Sequence, residues 1–123
     1  MVFVGWQQSG RAHPVVIATF HRCDQVTFGS PNDSAQSGHP LYQHGEWAYG
    51  FHEVSNSGWQ RRLDEQNRVA FPTWEPTGPP LRHFLVATHE SLGEFLAEDV
   101  SVEITVGTFE EAAKKALARV MAE

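Results

Sequence analysis

LRHFLVATHESLGEFLAEDVSVEITV, residues 81–106, decides the fold class. Its first part is a dense apolar run and predicts a strand over His83–His89. Ser91-Leu92-Gly93 then reads as a turn, and Glu94 opens the returning strand. The last part alternates: Val100, Val102, Ile104 and Val106 against Ser101, Glu103 and Thr105. A period of two marks an antiparallel strand with one solvated face, so the apolar set is expected inward and the polar set outward. Glu98-Asp99 interrupts the run and predicts a bulge or bend.

The segments on either side fit the same class. TFEEAAKKALARVMAE, residues 108–123, begins with a capping box, Thr108 and Glu111. Phe109, Ala112, Ala113, Ala116, Leu117 and Val120 form an apolar stripe, and its alanines predict close packing. Upstream, PTWEPTGPP at 72–80 holds four prolines and is a loop, with Trp74 expected to pin it. SNSGWQRRLDEQNRV at 55–69 predicts a helix capped by Asn56 or Ser57. WAYGFHEV (47–54), QVTFG (25–29) and PVVIATF (14–20) read as strands, and VFVGW (2–6) as an edge strand. HRCD at 21–24 looks like a hairpin turn joining two of them. The expected fold is α+β: a mainly antiparallel sheet with two helices, one mid-chain and one C-terminal, in a single domain over 1–123.

Composition narrows the function. The chain has 15 acidic and 9 basic residues, a formal net charge of −6, which works against nucleic-acid binding. Arg61, Arg62 and Arg68 cluster, but Asp64 and Glu65 lie among them, as on a solvated helix face. The single cysteine, Cys23, permits no internal disulfide and fits a reducing compartment. The residues show neither a signal-peptide pattern nor an apolar run of membrane-spanning length, so a cytoplasmic location and no membrane partner are expected. There is no P-loop, dinucleotide fingerprint or Gly-x-Ser-x-Gly elbow, and no cofactor is implied.

Chemistry has to come from polar side chains. GSPNDSAQSGHPLYQHG, residues 29–45, is a long connection between strands. Connections of that length are often functional. It carries Pro31, Asn32 and Asp33, which also suit a turn, and His39 and His44. Seven histidines are many for 123 residues, but none of their spacings matches a zinc site, and no metal is expected. Imidazoles and carboxylates gathered in one pocket can act as acid and base near neutral pH. His89, Glu94, His39, Asp33 and Glu53 are the candidates for that role. In particular, a short turn would set His89 opposite Glu94. The structural alternative for each histidine is a hydrogen-bonded strand end.

FGSPND, GHPLY, YGFHEVSNSGW and RHFLVATHESLGEFLA together resemble a family of small bacterial proteins of uncharacterised function with PNDE, HPLY and HYIFTFHDSTFECIA-like motifs. The resemblance spans residues 25–103 and singles out Asn32, Asp33, His39, Tyr49, Glu53, Ser57, Trp59, His83, His89 and Glu94. The chain departs from those motifs at Ser34 and Glu90, where Glu and Asp are usual, and at Leu92-Gly93, where Thr-Phe is usual.

Three functions stay open. The first is a domain that holds a polar small molecule or a protein segment against the sheet, with Asn32, Tyr49, Trp59 and His83 as contact residues. The second is a small cofactor-free acid–base enzyme. The third is an immunity-type interaction domain whose acidic surface meets a basic partner. A homodimer is compatible with each.

Overall fold

The computed structural model describes residues 2–4, 14–42 and 50–122. Among the described residues, seven strands and two α-helices make an α+β fold in which every strand pairing is antiparallel. The strands form two sheets instead of the one expected, and the chain divides into two compact units. Residues 1–23 with 99–123 make the first, and residues 24–98 the second. Among the described residues no helix is long and apolar enough to cross a membrane.

In the first unit, β1 (Val2–Val4), β2 (Val15–His21) and β7 (Asp99–Thr105) lie in that order in one sheet. Helix α2 (Phe109–Ala122) packs on it through Ala112 and Ala116, against Val15 and Ile17. All four are at least 96% buried. Small helical residues let the backbones approach, and burying Val15 and Ile17 is worth ~1.5–3 kcal/mol each. The capping box forms as expected: the Glu111 N–H donates to Thr108 Oγ1 at 3.1 Å, and the Thr108 N–H to Glu111 Oε2 at 3.4 Å.

The alternation in β7 is real, but its faces are the reverse of those expected. Ile17 pairs with Glu103 and Val15 with Thr105, so the polar set of β7 shares the face that α2 covers. Lys115 and Arg119 of α2 both bind the Glu103 carboxylate. Val102 and Ile104 are then 51% and 68% exposed. Two cations reaching down from the helix make an acidic residue acceptable on its face of the sheet, and apolar periodicity alone does not register that.

In the second unit, β3 (Gln25–Gly29), β6 (Leu92–Ala97), β5 (Arg82–Ala87) and β4 (Gly50–Val54) form a sheet in that order. HRCD is therefore no hairpin: β2 pairs with β7, and β3 with β6. Glu98 is the expected bend, and there the chain leaves the second unit. Helix α1 (Trp59–Ala70) follows β4, and a 3₁₀ helix, Asp33–Gly38, occupies the long connection. Trp74 is half-buried under Arg68, whose Cζ lies 5.8 Å from the ring centroid, so it anchors the proline-rich loop.

The β5–β6 hairpin differs from expectation by two residues. Its turn is Thr88–Ser91, closed by the Thr88 N–H on Ser91 O at 3.0 Å and the Ser91 N–H on Thr88 Oγ1 at 3.1 Å. Leu92 and Gly93 belong to β6, opposite Ala87 and Val86. Glycine suits a strand there because the Phe95 and Phe28 rings approach to 2.8 and 3.1 Å of where a Cβ would sit.

Candidate functional site

Side chains alternate across a sheet, so the register sorts the second unit into two faces. Glu94 lies opposite Leu85, which lies opposite His52; His83 lies opposite Val54 and Leu96. All six share one face. Glu53, Arg82 and Phe84 belong to the other.

On the first face, Glu94 joins two imidazoles. His83 Nε2 lies 2.9 Å from Glu94 Oε1, and His39 Nε2 lies 3.2 Å from Glu94 Oε2. His39 arrives from the end of the 3₁₀ segment, and its Nδ1 accepts the Leu41 N–H at 3.1 Å. That acceptor role puts the proton of a neutral His39 on Nε2, facing the carboxylate. On the far side of His83, Nδ1 lies 2.6 Å from Ser57 Oγ, just before α1. A neutral His83 therefore donates from Nε2 to Glu94 and accepts at Nδ1 from the Ser57 hydroxyl. Ser57 Oγ also accepts the Trp59 N–H at 3.2 Å, but the cap position itself is Gly58, without a side-chain bond, so neither Asn56 nor Ser57 is the cap expected. The Trp59 indole meets the His83 ring edge-on, with centroids 4.9 Å apart.

The side chain of His83 is 6% exposed, that of His39 14% and that of Glu94 16%. The hydrogen bond from His83 holds the Glu94 carboxyl below its ordinary range. Burial opposes this, and the bond and charge of His39 add to it. The network walls an open cleft of about 850 Å³, lined also by Leu41, His52, Val54, Asn56, Gly58, Arg62 and Leu85. A cavity of that size accommodates a small molecule.

Several expected site residues lie elsewhere. His89 is in the β5–β6 turn, 56% exposed and 3.4 Å from the Glu90 carboxylate. It does not face Glu94, because the register sets Leu85 there. Glu53 reaches the cleft rim, but its carboxylate is bound by Arg82 at 2.8 and 2.9 Å. That bond lowers its pKa, burial opposes the shift, and the Arg82 charge adds to it. Asn32 is exposed and precedes the 3₁₀ helix, where its carbonyl accepts the Ala35 N–H at 3.1 Å. Asp33 starts that helix, and its side chain, like Tyr49 and His44, lies outside the described residues. Glu94, His39, His83 and Trp59 do come together.

Ser57 is a cleft residue that residue-level reasoning treats only as a helix cap. Ser57 fits a helix cap so well that its second hydrogen bond leaves no mark in the sequence; only the resemblance singles it out. Among the described residues no group of three or more His, Cys, Asp or Glu side chains is arranged to hold a metal ion. No family model, no curated protein and no solved structure matches the chain.

Proposed function

We propose that the second unit binds a small polar molecule in this cleft and moves a proton to or from it, using only its own side chains. The observation that carries this reading is the Glu94 carboxylate held between two imidazoles at the wall of an open cleft. With its Nε2–H held by Glu94, His83 can exchange a proton at Nδ1 and keep its orientation. Trp59 and Leu41 supply apolar wall, while Asn56 and Arg62 offer polar contacts. Protein-observed NMR titration with water-soluble metabolites tests the proposal. A binder should shift the ring signals of His39, His83 and Trp59 and lose affinity in Glu94→Gln. Binding that is indifferent to Glu94, or no binding, contradicts it.

A second reading attaches to the first unit. Strand β7 is an edge of its sheet, and Val102, Ile104 and Val106 are 51%, 68% and 88% exposed. An open strand edge flanked by apolar side chains favours a protein segment, a second copy of this chain included, as an added strand.

A further inference from the structure

We propose that Ser57 is a nucleophile and that the cleft acts on carboxylic esters or thioesters. The proposal rests on the acid–base reading above and extends it to covalent chemistry. Its ground is an unbroken chain of hydrogen bonds, from Ser57 Oγ to His83 Nδ1 at 2.6 Å and from His83 Nε2 to Glu94 Oε1 at 2.9 Å. A hydroxyl, a base and an orienting carboxylate in that order are the parts an activated serine needs. The ring is used in the less familiar sense, with Nδ1 toward the serine, and the chemistry is unchanged by that. A plain local turn before the helix needs only the Oγ lone pair that takes the Trp59 N–H. It does not need a 94% buried imidazole on the hydroxyl proton, nor a carboxylate behind that imidazole.

Each step balances. Ser57 Oγ bonds to the carbonyl carbon while its proton passes to His83 Nδ1, and the carbonyl oxygen becomes an oxyanion. The resulting imidazolium keeps its Nε2–H on Glu94. When the tetrahedral species collapses, the bond to the leaving oxygen or sulfur breaks, and the leaving group takes the proton from Nδ1. Water then attacks the acyl-Ser57 carbonyl and gives a proton to Nδ1. As the free acid departs, that proton returns to Oγ. The net change is ester plus water to acid plus alcohol, or thioester plus water to acid plus thiol.

Two guanidinium groups lie near the Ser57–Gly58 backbone. Arg61 Nη2 and Arg62 Nη1 lie 3.2 and 3.5 Å from where a Cβ on Gly58 would be, beside Ser57. Arg62 also lines the cleft. His39 acts at one remove: it binds the second Glu94 oxygen and is a positioning residue.

The test is covalent labelling of the full chain with diisopropyl fluorophosphate, read by intact mass and peptide mapping. The expected result is one adduct per chain, on Ser57, with displaced fluoride. His83→Gln should slow labelling by about 100-fold or more, the usual scale of general-base assistance. Glu94→Gln should slow it less. An unmodified Ser57 in the wild type overturns the proposal, as does adduct spread over several serines. An unchanged rate in a His83→Gln chain that melts like wild type also overturns it. The wild-type arm decides even where a variant fails to fold. Metabolite binding that depends on Glu94, with Ser57 unlabelled, would remove the nucleophile and leave the acid–base reading standing.

Discussion

Glu94 is the residue on which the site turns. It is largely buried, yet both oxygens are met by imidazole N–H groups, which satisfies a charge that would otherwise be costly to desolvate. Glu94→Gln replaces one acceptor oxygen by an NH₂ that faces a donor, and should cost about 1–3 kcal/mol near neutral pH by denaturant titration. The pH dependence has a definite sign. The folded-state pKa of Glu94 is depressed, so its contribution is present above the ordinary glutamate range and is lost as pH falls through the folded value. The difference between wild type and Glu94→Gln should therefore shrink in acid. A gap that stays constant down to the acid transition contradicts the assignment. His89 is the contrasting case. Exposed and 3.4 Å from the Glu90 carboxylate, it should tolerate alanine within about 0.5 kcal/mol and leave the His39 and His83 NMR signals in place.

Among elements, the β5–β6 hairpin shows what was legible. The strands and their antiparallel pairing follow from the apolar runs at 82–87 and 92–97, but the register does not. Both SLG and THES carry turn chemistry, and long-range packing of Phe28 and Phe95 around Gly93 decides between them. Gly93→Ala should cost about 1–3 kcal/mol, because the Phe95 ring is 1% exposed and cannot give way freely. A neutral substitution there would contradict the packing. The helices were easier to read, since composition and, for α2, the capping box are local signals, although α1 starts from Gly58 and not from Asn56 or Ser57. Thr108→Ala should cost about 1 kcal/mol through loss of the α2 cap, measured by thermal melting. Sheet membership was harder. The HRCD segment passes the chain from one unit to the other, and nothing local separates that from a hairpin turn.

For the whole molecule, the α+β class and the antiparallel pairing were visible in periodicity, while the division into two sheets was not. The site was partly visible: His39, His83, Trp59 and Glu94 were named, but the partner of Glu94 was sought across the nearer turn. His83 reaches it from the adjacent strand and His39 from 55 residues away, contacts that only the completed sheet creates. The open β7 edge bears on assembly. If it recruits a strand, Ile104→Lys should lower self-association by light scattering without lowering the melting temperature, since Ile104 is 68% exposed. An unchanged assembly state would remove β7 as a contact surface.

The linked network Ser57–His83–Glu94–His39 is the central claim, and histidine tautomers test it most directly. Long-range ¹H–¹⁵N correlation at about pH 8.5, where an ordinary imidazole is neutral, distinguishes the two ring nitrogens. Both His39 and His83 should carry the proton on Nε2, with Nδ1 as the acceptor. An Nδ1–H tautomer at either ring would contradict the network.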